Sequence, residues 1–348
     1  MLRRLLFSFF GLLGLVLLGL ATGAWLISTS VNQPLAIDEP RLLEVAPGDT
    51  PSGLLNRLER DGLINRAFWV RLYWRFNLAD STLHRGEYRL EPGMRVTDLL
   101  QAWQRGSVVQ YSLTLVEGWT FRQLRSELAR HDKLEQVLAE KSDAELMAAL
   151  GAEGQHPEGR FFPDTYHYVK GTRDIDLLRQ AHARMAQVLA EEWAGRSKDL
   201  PYDDPYRALI MASLIERETG VPEERQQIAG VFVRRLRLGM RLQTDPTVIY
   251  GMGDKYRGRI GRADLQTPTP YNTYVIAGLP PTPIAMPGRE AIHAALHPAP
   301  GRSLYFVARG DGSHVFSETL DQHNKAVREY QLRRRSDYRS SPPPRAAQ

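Results

Sequence analysis

The sequence predicts an α+β protein carried on one apolar N-terminal helix, and three observations lead there. Positions 5–27 hold 23 residues without a charge. Beyond them, segments with strand period and segments with helix period follow one another without an internal repeat, which is the pattern of a mixed α+β chain. Hydrophobic residues make up 43% and charged residues 24% of the 348 positions, so wholesale disorder and collagen-like repetition are excluded. The length leaves room for two domains behind the helix. Lys+Arg 45 against Asp+Glu 40 gives a net charge of +5, too mild an excess to argue for a nucleic-acid partner. The absence of cysteine excludes disulfides, thiolate nucleophiles, Cys-zinc sites and lipid attachment through cysteine.

The apolar run, LLFSFFGLLGLVLLGLATGAWLI, is long enough as a helix for the ~30 Å hydrocarbon core of a bilayer. Arg3 and Arg4 precede it and the next cation is Arg41, so the positive-inside rule places the N-terminus in the cytoplasm and the rest outside. Trp25 falls at the outer interface. A cleaved signal peptide has the same charge order, but the run is long for a signal core and Ala21-Thr22-Gly23 is only a fair cleavage site. The expected organisation is a cytoplasmic tip and anchor over 1–30, a tether and small module over 31–108, a larger mixed domain over 109–335 and a disordered tail over 336–348.

Each element has its local reason. The polar residues 28–40 read as a tether. Leu42 to Val45 suit a strand, and Pro47-Gly48-Asp49 a turn. Thr50 then has N-cap chemistry, Pro51 suits the first helical position, and Leu54, Leu55 and Leu58 line one face. A second helix is expected from Arg66 to Phe76, a strand from Gly86 to Leu90, and a helix capped by Thr97 that ends near Gly106. Val109, Tyr111, Leu113 and Leu115 alternate with polar residues as a half-buried strand does. Thr120-x-x-Gln123 forms a capping box. Residues 131–200 read mostly helical, interrupted over 151–163. The stretch from Tyr206 to Thr219 is the most apolar helix after the anchor, and another follows with Ile228, Val231, Phe232, Val233 and Leu236. Six prolines over 268–287 make that segment an ordered irregular loop. Leu304–Arg309 and His314–Ser317 flank Gly310-Asp311-Gly312 as a hairpin, and a helix from Leu320 to Arg335 precedes the tail.

The strongest chemical signal is Met211–Gly220. On this helix Glu216 and Glu218 project about 200° apart, so they do not form a carboxylate pair on one face. Both have apolar neighbours, and burial raises a carboxyl pKa. Glu218 also lies in the last turn, before Gly220 as a candidate left-handed cap, where the negative helix end disfavours a carboxylate. A carboxylic acid still protonated near neutral pH suits general-acid cleavage of a glycosidic bond. The competing reading pairs the carboxylate with Arg217, Arg225 or another arginine. Asp245-Pro246 reads as a cap, with Gln243 and Thr244 offering hydrogen bonds to a polar ligand. Pro270-Tyr271-Asn272-Thr273-Tyr274 sets two aromatic rings and hydrogen-bonding side chains on the proline-rich loop, which suits sugar rings and equally suits a loop pinned by buried tyrosines. The 158–166 segment reads as scaffolding or a cleft wall. Arg234-Arg235-x-Arg237 reads as a solvated helix face. His293 and His297 have zinc-like spacing without the accompanying Glu, so no metal and no cofactor is expected.

Seven ordered blocks resemble the family of membrane-anchored endolytic murein transglycosylases, the YceG-like family. They are VEGWTFRQL (116–124), EGRFFPDTY (158–166), ASLIERETG (212–220), RLQTDPTVIYGMG (241–253), TPYNTYVIAGLPPTPIAMPG (269–288), AALHPA (294–299) and YFVARGDGSHVFSETLDQHN (305–324). VAPGDTPSGLLNRL (45–58) is similar to the start of LysM-type glycan-binding modules, a pattern that a packing module without ligand shares. The resemblance implies cleavage between N-acetylmuramic acid and N-acetylglucosamine within nascent glycan strands, leaving 1,6-anhydromuramyl ends and limiting strand elongation. It maps the catalytic acid onto Glu218, and substrate contacts onto Gln243, Tyr271, Asn272 and Tyr274 with Glu216 in support. The implied partners are peptidoglycan strands, the inner membrane and penicillin-binding synthases, with the catalytic domain periplasmic. A glycan-binding scaffold and a water-using hydrolase are the alternatives.

Overall fold

A computed structural model describes residues 2–78 and 81–332. The tail expected at 336–348 and the last residues of the final expected helix lie outside them. The chain forms two compact units. One comprises the residues up to Tyr111 with two short returns, Lys133–Glu135 and His167–Thr172, and the other comprises the remainder.

In the smaller unit α1 runs from Leu2 to Asn32. Its side chains are exposed from Leu6 to Leu20, whereas Gly23, Leu26, Ile27, Ser30 and Val31 turn inward, a stripe at the i, i+3, i+4 spacing of one helix face. The expected polar tether over 28–40 is therefore corrected. Residues 28–32 continue the helix, Val31 and Leu35 are buried in the unit's core, and the Leu35 N–H donates to Met94 O at 2.7 Å. Strands β1 (Arg41–Val45) and β2 (Gly86–Leu90) pair antiparallel, Arg41 opposite Leu90 and Val45 opposite Gly86. Helix α2 (Pro51–Arg60) is capped by Thr50, whose hydroxyl accepts from Gly53 N–H at 3.1 Å. Helices α3 (Ala67–Asn77) and α4 (Val96–Arg105) complete the unit. Thr97 is not the cap of α4. The N-cap is Arg95, two residues earlier, and its N–H donates to Asp98 at 2.8 Å. The core is apolar, built on Leu54, Leu55, Leu58, Val70, Trp74, Leu99 and Trp103, with the two indoles edge to face at 5.9 Å.

Strand β3 (Tyr111–Thr114) leads into the larger unit, and α5 (Phe121–Leu128) follows. The box at its start forms as expected, with Thr120 N–H donating to Gln123 Oε1 at 2.8 Å. Next come α6 (Asp143–Ala149), β4 (Thr165–Tyr168) and α7 (Asp174–Ala194). Residues 131–200 thus hold less helix than expected. Thr165–Tyr168 alternates exposed and buried, and β4 pairs with β3. Helices α8 (Pro205–Glu218), α9 (Arg225–Arg237), α10 (Asp245–Met252), α11 (Arg262–Gln266) and α12 (Arg289–Leu296) form the body. Strands β5 (Tyr305–Ala308) and β6 (His314–Ser317) form the expected hairpin, and α13 (Leu320–Val327) runs on into a π-helical turn, Arg328–Leu332, at the end of the described chain. All eight residues from Ala208 to Ile215 are buried, with α12 as the principal neighbour of α8. A helix apolar on every side belongs inside a core, and its end is where polar groups enter.

Candidate active site

The sequence starts α8 firmly. Asp204 accepts from Arg207 N–H at 2.9 Å and Pro205 occupies the first position, where its missing N–H costs nothing. The helix ends differently from the expectation. Gly220 does not adopt the left-handed cap. Instead Thr219 leaves in extended backbone, and its hydroxyl accepts from Val221 N–H at 2.9 Å and donates to Glu224 Oε2 at 3.4 Å. Glu224 in turn accepts from the His314 backbone N–H at 2.8 Å and holds His314 Nδ1 at 2.7 Å. These bonds tie the residue after Glu218 to the β5–β6 hairpin.

Glu218 is half-buried and accepts a hydrogen bond from the Thr244 hydroxyl on its Oε1. Burial pushes its pKa from 4.5 up to about 7. The Thr244 bond opposes that rise, the nearby Asp245 carboxylate adds to it, and Arg217 and Arg235 partly offset it. Among the described residues none forms an ion pair with Glu218, so the reading that paired it with an arginine is not what the fold builds. With no cation in contact, burial prevails and the carboxyl holds its proton up to about pH 7. Glu216 points elsewhere, accepting from Gly288 N–H at 3.0 Å, and burial also raises its pKa. Glycine at 288 is a packing requirement: a Cβ there would lie 1.9 Å from Glu117 Oε1.

Thr244 is 2% exposed and is positioned by other threonines. Its N–H donates to Thr273 Oγ1 at 3.0 Å, and the Thr247 hydroxyl donates to Thr244 O at 2.7 Å. Thr244, not Asp245, is the N-cap residue of α10. Asp245 is the first helical residue, and its carboxylate accepts from the Tyr274 hydroxyl at 2.6 Å. Gln243 has φ +53, a left-handed conformation that costs about 1 kcal/mol or more in a side-chain-bearing residue. Its N–H donates to Thr273 O at 3.2 Å, and its side chain meets Arg235 at 3.4 Å.

Arg235 is a correction, because it is not on a solvated face. It is buried and donates to Leu304 O at 2.6 Å, Leu242 O at 2.8 Å and Arg241 O at 3.2 Å. The signal was present in the spacing, since Ile228, Val231, Phe232 and Arg235 share one helical face. Arg234 is also turned inward, to Ser303 O at 2.8 Å and Ala299 O at 3.1 Å.

On the proline-rich loop the expected contact residues divide. Tyr271 packs edge-on against Tyr250 at 4.8 Å and its hydroxyl bonds Thr282 Oγ1 at 2.9 Å. Tyr274 reaches Asp245, beside Glu218. Asn272 is 1% exposed, and its Nδ2 donates to Thr267 O at 2.7 Å, Leu265 O at 3.1 Å and Asp264 O at 3.2 Å. Its Oδ1 accepts from Tyr274 N–H at 3.0 Å. The Asn272 amide is directed into the loop and holds its shape.

Sequence reading placed Glu158 only within the 158–166 segment, as scaffolding or a cleft wall, and not as a group with shifted acidity. It is buried, accepts from Phe121 N–H at 2.9 Å and from the Tyr250 hydroxyl at 2.9 Å, and burial raises its pKa to about 7. No periodicity marks it, because it sits in a turn. Among the described residues one trio could hold a metal ion, Glu192, His293 and His297, whose ligand atoms lie within 4.8 Å of one another. The carboxylate comes from α7 rather than from the residue after His293. Glu192 is already engaged by Arg289 at 2.7 Å and His293 at 2.8 Å.

A family model described as the YceG-like family matches residues 43–329. An endolytic murein transglycosylase of Bacillus subtilis is 32% identical over 327 residues, covering 88% of this chain and 90% of that protein. One from Streptococcus pneumoniae serotype 2 is 29% identical over 311 residues, covering 78% of this chain and 55% of the relative. A crystal structure of a YceG-like protein from Listeria monocytogenes aligns with a TM-score of 0.53 at 31% identity, covering 83% of this chain and 99% of the other.

Proposed function

The chain belongs to the YceG-like family, and on that premise we propose that it is an endolytic murein transglycosylase, a lyase whose proton-carrying group is Glu218. The observation that carries this reading is a half-buried carboxyl at the end of α8 with a pKa near 7 and a neutral hydroxyl as its partner. Two relatives named for this activity cover 88% and 78% of the chain, which supports the substrate class, peptidoglycan.

Protonated Glu218 donates to the departing glycosidic oxygen as the bond from muramyl C1 breaks. The carboxylate so formed accepts the proton of the muramyl C6 hydroxyl as that oxygen bonds to C1. Glu218 ends protonated, no water is consumed, and the product carries a 1,6-anhydro ring. One carboxyl serves both steps, in contrast to the paired carboxylates of glycosidases that use water. Asp245, held by Tyr274, sustains the proton on Glu218 through its charge. Substrate contacts are assigned to Tyr271, Tyr274 and Gln243, with Glu216 in support. Asn272 acts by shaping the loop.

The apolar α1, exposed over its first two-thirds, supports an anchor in the inner membrane with the catalytic unit on the periplasmic side. The smaller unit is assigned a LysM-like role on its 45–58 segment, and penicillin-binding synthases are the protein partners this placement favours.

The test is product analysis on purified glycan strands. Wild type should release anhydro-muramyl ends, and Glu218→Gln should fold normally while losing activity by about 10³-fold, within the range for removal of a general acid. Reducing ends from wild type would make the enzyme a hydrolase. Binding without strand shortening would make it a scaffold.

A further inference from the structure

Helix α3 is amphipathic in the wrong sense for a water-facing helix. At 100° per residue its buried residues Ala67, Val70 and Trp74 occupy one arc, and Phe68, Leu72, Phe76 and Trp69 fall within about 100° on the opposite side. That outer face is open: Phe68 is 56% and Phe76 76% exposed. Exposed Arg66 precedes the helix and exposed Arg75 lies in its last turn. The helix packs alongside α1, and the contact lies at a specific level, because a Cβ on Gly23 would touch the Trp69 ring at 3.9 Å. Gly23 lies two residues before Trp25, about 3 Å lower along the α1 axis. If α1 crosses a bilayer, the level of Trp25 is the outer interface. The junction is not a swivel, since Ile27, Val31 and Leu35 belong to the same core as Val70 and Trp74.

We propose that α3 lies in the outer surface of the bilayer that α1 crosses. Phe68, Leu72 and Phe76 enter the acyl boundary, Trp69 sits at headgroup level beside the anchor, and Arg66 and Arg75 meet lipid phosphates. The proposal rests on the anchor reading above and deepens it. The occupant is lipid rather than another protein because Trp69 of this helix meets α1 at Gly23, next to the exposed apolar run Leu6–Leu20 of the anchor. Aromatic and apolar residues bordered by arginines have the composition of an interfacial helix. The smaller unit is then held to the membrane at two places and cannot rotate freely about α1.

The chain has no cysteine, so single-cysteine spin labels report individual positions. Full-length Phe68→Cys, Phe76→Cys, Leu12→Cys and Lys198→Cys proteins are labelled in vesicles of phosphatidylethanolamine and phosphatidylglycerol, and collisions with oxygen and with a water-soluble nickel chelate are compared. Leu12 is the lipid reference and Lys198 the aqueous one. Labels at 68 and 76 should show an oxygen-to-nickel collision ratio about threefold or more above that at 198, as shallow burial in the interface requires. Ratios equal to that at 198 overturn the proposal, and so does shielding from both reagents, which would mean that protein covers the face. A label at 12 that reads as aqueous overturns the anchor reading itself, which separates that failure from failure of the α3 proposal.

Discussion

In the smaller unit Glu87, 4% exposed, accepts from the Tyr111 hydroxyl at 2.5 Å and from Lys170 at 3.2 Å, with Lys133 at 3.5 Å. In the larger unit Glu218 meets the Thr244 hydroxyl and, among the described residues, no cation at bonding distance. Burial raises the pKa of both carboxyls, yet at Glu87 the hydroxyl and two ammonium groups outweigh it and the net shift is downward. At Glu218 nothing of that size opposes burial and the pKa rises to about 7. Burial therefore makes an acid only where no cation answers it. Glu158 follows the Glu218 pattern, with a backbone amide and a tyrosine hydroxyl as partners and a pKa near 7. Both of its oxygens are engaged by the fold, which makes it a structural counterpart of Glu218.

The largest effect is expected at Glu87. Lys133→Met with Lys170→Met leaves a buried carboxylate without a cation, and stability at pH 7 should fall by about 3 kcal/mol. In wild type the low pKa of Glu87 gives stability that is present above pH 4.5 and lost in acid. In the variant the pKa rises, so the penalty exists at neutral pH and fades as pH falls toward 4. Denaturation midpoints at pH 7 and pH 4 check this, and an equal loss at both would refute the ion-pair account.

A smaller effect of opposite sign is expected at Glu218. Its raised pKa means that the folded chain binds the extra proton between about pH 4.5 and 7, so wild type loses stability as pH climbs through that window. Glu218→Gln should therefore be more stable than wild type at pH 8, by about 1–2 kcal/mol after allowance for its partial exposure, and equal to it near pH 4.5. Chemical denaturation across that range measures the difference.

The smallest effect tests the neutral partner. Thr244→Val removes the hydrogen bond that favours the charged form, so the pKa of Glu218 should rise further and the alkaline limb of the pH–rate profile should move up by about half a unit. A shift downward would mean that Thr244 serves chiefly to hold the neutral acid.

Much of this was legible in the sequence. The uncharged run at 5–27 specified a long apolar helix. Thr50, the Thr120–Gln123 box and the Gly310–Gly312 turn placed elements through contacts a few residues apart, and the apolar run 208–215 set Glu216 and Glu218 at the end of a core helix. Periodicity reports which face of its own element a side chain takes, but not what comes to meet it. Thr244 reaches Glu218 from 26 residues away, Gly288 reaches Glu216 from 72 and Tyr250 reaches Glu158 from 92. Only the tertiary structure decided that Glu218 meets a hydroxyl in place of an arginine, that Arg235 holds carbonyls inside the core and that the Asn272 amide is consumed by its own loop. The proton on Glu218 depends on its partners across the fold, and those partners are brought together only when distant segments pack.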